Sequence, residues 1–509
     1  MTETALAMTE DRLTEVQAEL RRLQMENALL REMLRRWRLE KFGRPSEKLT
    51  DAQLELLEEE LSVQPQEVDR EAELPAKQKQ AVQCQTQPRP AHPGRTELPA
   101  HLPRVIVEVP CTPEQCHCGQ CGQPTVVIGY DEHEELDVKP AEYFVRVVRQ
   151  EKRACKDHPE EGVATAALAS RIREKGKLAD EFIIEVLMRK YHWHQPLYRQ
   201  VAILEQEHRI ELSRQTLGDA VMWVGAILEP VRAALRQDLL AGQYIQADET
   251  PVGVQSERVR GKNFPAFIFE YSRPHGPTVY DFRMGRGREG PDQFLKDYGG
   301  ILQCDGYVGY DKVGAEGLRR AGCMAHMRRR FWQARELAPT DGDLLAVLGT
   351  VGDLYAVEGQ AREQKLDAAA RGALRQARST ALMESLKTKI VEIRQRVLPK
   401  STAGEACTYA LNQWKRLTAF LEDGRIEIDN NWCENGMRPI ALGRKNWLHI
   451  GSEQAGPRVA AIISVMETCR RLKIDVRSYL RDVLPKLPNW PINRVAELTP
   501  IAWQAGHSQ

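Results

Sequence analysis

Two aspartates stand where predicted β-strands end. Asp248 lies in "YIQADETPV" and Asp305 in "LQCDGYVGYD", each after apolar or β-branched residues. Two carboxylates held side by side at strand ends repel each other and lose hydration, so such a pair calls for a divalent cation. Glu434, on a predicted helix, would complete a cage of three carboxylates. Oxygen ligands of this kind suit Mg²⁺ or Mn²⁺, and two such ions about 4 Å apart could activate a water or sugar hydroxyl and stabilise the leaving oxygen of a phosphodiester.

The stretch "DNNWCENGMRP" surrounds the third acid. On a helix, Asn430, Glu434 and Arg438 occupy successive i, i+4 positions and share one face. The same spacing also suits a solvated helix face with a single salt bridge. If the face binds metal, Asn430 or Asn431 would orient the acid or contact DNA. The basic candidates for DNA contacts are Arg438, Arg444, Lys445, Arg328, Arg329 and Arg214.

A cysteine cluster predicts a second metal. Cys118 and Cys121 in "CHCGQCG", with Cys155 and His158 in "CKDH", form Cys-x2-Cys and Cys-x2-His pairs. Each pair supplies two donors from one tight turn, and four such donors satisfy a tetrahedral structural Zn²⁺. Unligated surface cysteines are the alternative. Two further thiols leave the choice of ligands open: Cys111 and Cys116.

Length and charge place only broad limits on the function. A chain of 509 residues is long enough for several domains. Lysine plus arginine equals aspartate plus glutamate at 72 each, so any nucleic-acid-binding surface must be local. Residues 317–335 form such a patch, because arginine is their only charged type. No stretch approaches the roughly 18 apolar residues of a membrane span, and the N-terminus lacks a signal-peptide pattern, which predicts a cytoplasmic protein with no membrane partner.

The first segment, residues 1–61, predicts a coiled coil. A seven-residue spacing relates Leu13, Leu20, Asn27 and Leu34. An apolar residue follows each of them three positions later. Asn27 at a core position tends to fix the register of a parallel two-stranded coil. The narrow stripe favours self-association into a homo-oligomer over packing against the same chain, although a different partner helix would fit equally. A Pro- and Gln-rich linker follows over 62–104.

Composition divides the rest of the chain into a series of domains. They are a zinc-binding module at 105–160, a helical region at 161–242, a catalytic core at 243–465 with a helical insertion at about 335–423, and a helical tail at 466–509. The helical region predicts two helices with a turn near Arg209 and a cap at Ser213, either a DNA-binding helix-turn-helix or an ordinary helical hairpin. Four β-branched and aromatic runs after Gly242 predict the strands of an α/β sheet.

The chain resembles the transposases of the insertion sequence 66 family, bacterial DD(E/D) enzymes with a ribonuclease H-like core. The resemblance runs nearly end to end, through "EKFGRPSEKL", "GRTELPAHLPR", "KYHWHQPLYRQ", "LSRQTLGD", "ADETPV", "CMAHMRRRF", "YLRDVLPKLP" and the most specific motif, "DNNWCENGMRPIALGRKNWLHIGSEQAG". It departs from the family pattern at Met324, where tryptophan is usual, and at His158, where cysteine is usual. Cys323 and His326 resemble a Cys-x2-His element found in several transposase groups, where packing, metal binding and DNA contact are all open roles.

The resemblance implies a multidomain α+β protein in which Asp248, Asp305 and Glu434 are the catalytic triad of a metal-dependent transposase. Its partners would be the terminal inverted repeats of the element and target DNA, with accessory proteins from the same element as further partners. In the cell it would be cytoplasmic and nucleoid-associated when bound to DNA. The alternatives are a non-catalytic DNA-binding regulator with a decayed catalytic domain, and a ribonuclease H-like nuclease that only hydrolyses.

Overall fold

A computed structural model describes residues 123–124, 142–154, 163–174, 176–255 and 262–507. The described residues fall into two compact units, divided between Ala166 and Ala167. The predicted coiled coil, the linker and all the predicted zinc ligands lie outside the described residues: Leu13, Leu20, Asn27, Leu34, Cys118, Cys121, Cys155 and His158. The smaller unit contains an antiparallel hairpin of β1 (Lys152–Ala154) and β2 (Val163–Thr165).

The larger unit is built on a mixed sheet of six strands. They are β3 (Tyr244–Gln255), β4 (Asn263–Ser272), β5 (Thr278–Arg283), β6 (Ile301–Gln303), β7 (Arg319–Ala321) and β8 (His449–Ile450). The order is β5-β4-β3-β6-β7, with β8 paired to the far end of β3. The first three strands are antiparallel, whereas β6 and β7 run parallel to β3. The central strand, β3, therefore joins an antiparallel meander to a parallel pair.

Helices pack around this sheet and extend from it. They are α1 (Asp180–Leu187, continued by a π-helical turn at Met188–His192), α2 (Leu197–His208), α3 (Arg214–Ala241), α4 (Glu289–Leu295), α5 (Met324–Leu337), α6 (Gly342–Glu363), α7 (Ala368–Arg396), α8 (Thr402–Asn412), α9 (Trp414–Leu417), α10 (Ala419–Glu422), α11 (Asn431–Trp447), α12 (Ala455–Arg471), α13 (Val476–Val483) and α14 (Pro500–His507). No helix among the described residues is long and apolar enough to cross a membrane.

One hydrophobic core joins the sheet to helices from both ends of the described chain. It includes buried residues from α1, α3, the antiparallel strands, α12 and α13. The long helices α3 and α12 approach closely at Gly225, where a Cβ would lie 2.7 Å from the backbone oxygen of Arg458. Any larger residue at Gly225 would push the two helices apart. The boundaries predicted at 242 and 465 therefore fall inside a common core.

The helical insertion has a core of its own. Helices α5 to α10 enclose a second apolar cluster that also takes in the start of β3 and the segment before α11. Within it, the fully buried guanidinium of Arg375 pairs with Glu358, at 2.6 Å, and donates to the backbone oxygens of Phe420 and Ile426. These bonds tie α7 to the chain that returns from the insertion to the sheet.

Several expectations from the sequence are confirmed. The four predicted strands are β3 to β6, and α11 carries Glu434 and Arg438 as expected. The chain turns at Arg209, whose φ is +55°, and the side chain of Ser213 caps α3 by accepting from the backbone N–H of Thr216 at 3.0 Å. The sequence missed β7, which lies inside the arginine-rich patch, and β8. The tail predicted to be helical contains α13, short 3₁₀ turns and α14.

Candidate active site

The register of two neighbouring strands places two predicted catalytic acids side by side. Gln246 on β3 pairs with Gln303 on the parallel strand β6. Asp248 and Asp305 each follow two residues later. Because parallel strands advance in the same direction, the two aspartates follow the paired glutamines side by side. The predicted strand end at Asp248 is wrong, since β3 continues to Gln255. Local hydrogen bonds orient the two aspartates: Asp248 Oδ1 accepts from the backbone N–H of Glu249 at 2.9 Å, and Asp305 Oδ1 accepts from that of Tyr307 at 2.8 Å.

The third predicted acid, Glu434, lies in the first turn of α11 and faces the same place. Burial raises the pKa of Asp248 well above its usual range, and the negative charges of Glu434, Glu249 and Asp305 raise it further, in that order. Glu434 is thus the carboxylate that acts most strongly on Asp248, although it lies 186 residues further along the chain. Asp248, Asp305 and Glu434 are called the three-acid cluster below, because the charges of the other two both raise the pKa of Asp248.

A buried amide network fixes the start of α11 to the strands that carry the aspartates. Gln246 Nε2 donates to the backbone oxygen of Asp429 at 2.9 Å, and its Oε1 accepts from the backbone N–H of Cys433 at 3.1 Å. Gln303 Nε2 donates to the backbone oxygen of Glu427 at 2.8 Å. The two glutamine side chains also bond each other at 2.9 Å. The position of Glu434 is therefore set by the same two strands that present the aspartates.

Asp429 closes the turn before α11. Its Oδ1 accepts from the backbone N–H of Asn431 at 3.1 Å, and its Oδ2 accepts from the hydroxyl of Tyr355 on α6 at 2.7 Å. Burial raises the pKa of Asp429 to about 7, against the lowering effect of these hydrogen bonds. The tyrosine links the insertion to the turn that leads to Glu434.

A second buried contact seats α11 on the antiparallel strands. Glu270 on β4 pairs with Arg471 on α12 at 3.2 Å, and both side chains are almost completely buried. Burial raises the pKa of Glu270 to about 8, although Arg471 lowers it. A Cβ at Gly436 would lie 2.2 Å from the carboxylate of Glu270 and 2.4 Å from the guanidinium of Arg471. Only glycine lets α11 lie directly on this ion pair.

Glu249 is an acidic residue that sequence reasoning missed. Successive residues of a strand point to opposite faces, so Glu249 faces away from Asp248. Its side chain is 2% exposed, pairs with Arg286 at 2.5 Å and accepts from the hydroxyl of Tyr310 at 2.8 Å. Burial raises its pKa, and the two hydrogen bonds oppose that effect. The alternation of side chains along the strand therefore distinguishes Glu249, whose charge is balanced by Arg286, from Asp248, the candidate metal ligand next to it.

The Cys-x2-His element lies against Glu434. The thiol of Cys323 is 3.9 Å from Glu434 Oε1, and Nδ1 of His326 is 3.3 Å from the same oxygen. Cys323 Sγ also accepts from the backbone N–H of Asn430 at 3.5 Å. Burial raises the pKa of the Cys323 thiol well above its usual range, and the charges of Glu434 and Asp429 act in the same direction. The sulfur, imidazole and carboxylate atoms all lie within 4.8 Å of one another.

The predicted DNA-contacting residues differ in how they are placed. Lys445, Arg329 and Arg214 are exposed, and Arg214 begins α3. Arg444 instead donates to Thr250 Oγ1 at 2.8 Å and to the backbone oxygen of Pro251 at 2.7 Å, which binds it to β3. The others are buried or partly buried: Arg328, Asn430, Asn431 and Arg438.

Asn430 is fully buried, so its amide is withdrawn from solvent. Neither its Nδ2 nor its Oδ1 makes a hydrogen bond within the described residues. Such an orphaned buried amide is costly unless it meets a partner. It stands directly before the helix of Glu434, where it suits the orienting role rather than a direct DNA contact.

Comparisons with known proteins identify the class. Residues 175–458 match the family model described as "Transposase IS66 family". Three further matches are "Transposase C of IS166 homeodomain" over 29–107, "zinc-finger binding domain of transposase IS66" over 115–157, and "IS66 C-terminal element" over 464–501. The matches follow one another along the chain, as the parts of a transposase.

The chain belongs to the IS66 transposase family. It is similar to "Uncharacterized protein y4hP" of Sinorhizobium fredii (strain NBRC 101917 / NGR234), with 30% identity covering 95% of this chain and 88% of the relative. "Uncharacterized protein y4qI" of the same strain is 32% identical, covering 81% of this chain and 78% of its own. Family membership implies DNA as a partner and dependence on a divalent metal, and the zinc-finger match suggests zinc binding.

Proposed function

We propose that this chain binds the terminal inverted repeats of an insertion sequence and catalyses DNA strand cleavage and strand transfer. The observation that carries the proposal is that Asp248 and Asp305 each follow the paired Gln246 and Gln303 of β3 and β6 by two residues, and that the charges of Glu434 and Asp305 both raise the pKa of Asp248. The sheet order β5-β4-β3-β6-β7, an antiparallel meander followed by two parallel strands, supports a ribonuclease H-like core. The family match supports transposition as the biological setting.

The three acids fit a hard divalent cation because their donors are all carboxylate oxygens. Asp248, Asp305 and Glu434 would hold Mg²⁺ or Mn²⁺, two ions per site. When bound, these cations supply a nucleophilic water or hydroxyl at neutral pH and stabilise charge on the phosphate and the leaving oxygen. The amide network of Gln246 and Gln303 maintains the spacing between the helix of Glu434 and the strands.

Exposed basic side chains hold the DNA backbone beside the three catalytic acids. Lys445 lies on the same helix as Glu434, and Arg329 lies on α5, the helix that also carries His326. Phosphate contacts of this kind fix the register of a duplex without reading its sequence. Recognition of the terminal repeat falls to Arg214 and the helical region, together with the zinc module. Paired coils at 1–61 would hold two element ends together in a homo-oligomer.

A single reaction separates this proposal from its alternatives. Purified full-length protein is incubated with end-labelled element-end DNA and a supercoiled plasmid in Mg²⁺ or Mn²⁺. A transposase cuts at the element end and joins the labelled strand to the plasmid. A nuclease cuts but leaves the plasmid unlabelled, whereas a regulator shifts the labelled DNA in a binding gel and cuts nothing. Joined product supports the proposal, and its absence in the presence of every protein encoded by the element contradicts it.

A further inference from the structure

We propose that Cys323, His326 and Glu434 form a second metal site, one that takes Zn²⁺ rather than Mg²⁺. The site lies at the start of α5 and the first turn of α11, beside the three-acid cluster and sharing one residue with it. Zinc binding at these residues stands apart from the proposed function, whereas its effect on DNA cleavage rests on that function.

The distances between the donor atoms fit a tetrahedral ion. With bonds of about 2.0 Å to nitrogen and oxygen and about 2.3 Å to sulfur, tetrahedral Zn²⁺ separates its ligand atoms by about 3.3–3.6 Å. His326 Nδ1 and Glu434 Oε1 are 3.3 Å apart, and Cys323 Sγ and the same oxygen are 3.9 Å apart. The third pair, Cys323 Sγ and the imidazole nitrogen of His326, lies within 4.8 Å, so the two side chains would move closer together on binding the ion.

The imidazole nitrogen has no other assigned use. Nδ1 of His326 is within ion-pair distance of Glu434, but it is buried and forms no hydrogen bond within the described residues. A buried ring nitrogen without a hydrogen bond is costly, and a metal ion would satisfy it. The sulfur already accepts the backbone N–H of Asn430, a bond that becomes stronger when the sulfur is a thiolate.

The ligand types select the metal. Thiolate and imidazole are donors that Mg²⁺ avoids and Zn²⁺ prefers. Three protein ligands leave a fourth position for water. Zn²⁺ would bind Glu434 through Oε1, the oxygen that faces Cys323 and His326.

Sharing Glu434 couples the two metal sites. A cation on Oε1 withdraws charge from the carboxylate and repels a second cation at the acid cluster. Zn²⁺ therefore weakens binding of Mg²⁺, and coupling between adjacent sites of this kind is typically about 5- to 150-fold. We expect Zn²⁺ to raise the Mg²⁺ concentration needed for half-maximal cleavage at least about fivefold.

Zinc content tests the binding directly. Full-length protein is equilibrated with ZnCl₂, freed of excess metal and analysed for zinc per chain, alongside Cys323→Ser. Cys407→Ser is the matched control, because Cys407 is also fully buried but lies on α8 outside this cluster. The proposal predicts about one fewer Zn²⁺ per chain in Cys323→Ser than in the wild type, and no difference in Cys407→Ser. The difference isolates this site whatever other zinc the chain binds.

His326→Gln provides a second variant, because the side chain of His326 is one-quarter exposed, and a native circular dichroism spectrum separates loss of zinc from misfolding. Equal zinc content in the wild type, Cys323→Ser and His326→Gln would overturn the proposal. A titration of Mg²⁺ with and without ZnCl₂ tests the coupling: a zinc-dependent shift in the wild type that disappears in His326→Gln supports it, and an identical shift in both refutes it. If no form cuts DNA, the proposed function fails, while zinc content still decides the site.

Discussion

Replacing Gln246 with leucine tests how the third acid is held in place. The leucine keeps a similar volume but removes the bonds to the backbone oxygen of Asp429 and the backbone N–H of Cys433. Both groups belong to the turn and first residues that precede Glu434. The backbone oxygen of Asp429 loses its partner, whereas the N–H of Cys433 keeps its bond to the backbone oxygen of Asn430 at 2.9 Å. The other partners of this amide, Tyr244 and Gln303, still bond each other.

The structure sets the size of the effect. An orphaned buried backbone group costs about 1–3 kcal/mol, so loss of the bond to Asp429 in Gln246→Leu should lower the free energy of unfolding by about that amount. Release of the turn also lets the helix of Glu434 move. A misplacement of about 1 Å at a reacting group can lower a rate about 10²-fold, so cleavage per folded molecule should fall by about that factor.

Gln200→Leu is the matched control. Gln200 is 1% exposed, and its amide donates to the backbone oxygens of Val186 and Gln195, far from α11 in the sequence. Stability is measured by urea unfolding, and cleavage of element-end DNA is measured at a temperature where both variants are folded. The control should lose stability but keep cleavage. Equal cleavage rates in the two variants would refute the claim that Gln246 positions Glu434.

Three other predictions concern neighbouring features. Gly436→Ala should destabilise the protein by about 1–3 kcal/mol because its Cβ meets a buried ion pair. Gly349→Ala, in an open helix position, should stabilise the protein by up to about 1 kcal/mol. Urea unfolding in which both changes shifted stability in the same direction would contradict this. Asp429 keeps its proton to about pH 7 when folded but loses it near pH 4 when unfolded, so wild-type stability falls as pH rises between these values. As pH rises across that window, the stability of Asp429→Asn relative to the wild type should increase by up to about 1.4 kcal/mol per pH unit. A stability difference between the two proteins that does not change with pH would refute the burial argument. Arg375→Met should cost about 3–5 kcal/mol by leaving Glu358 buried and unpaired, and adding Glu358→Leu should recover most of the loss in thermal unfolding; no recovery would show that the ion pair is not the cause.

The sequence predicted the strands and the helix of the site because residues close together in the chain determine such elements. Alternating β-branched and aromatic residues gave the strands that carry Asp248 and Asp305, and the i, i+4 spacing gave the helix that carries Glu434. Two strands escaped prediction. Charged side chains occupy two of the three positions of β7, and β8 has only two residues, which show no period.

The contacts between distant elements could not be read in the same way. Gln246 and Gln303 appear as polar interruptions in apolar strands, and only the parallel register shows that they meet each other and the turn before α11. The sequence did contain a signal, since Gln-x-Asp occurs in both segments, near the start of β3 and across the end of β6. The burial of Asn430 and the binding of Arg444 to β3 depend on how the helix packs on the sheet, which periodicity does not specify.

Glu434→Gln tests the central claim most directly. The change is nearly isosteric and removes the charge that a divalent cation needs, while Glu453→Gln, at an exposed glutamate in the same motif, is the control. Binding and Mg²⁺-dependent cleavage of labelled element-end DNA are measured for the wild type and both variants. The account predicts that all three bind and that only Glu434→Gln fails to cut, by at least about 10²-fold. Cleavage by Glu434→Gln at the wild-type rate would contradict it.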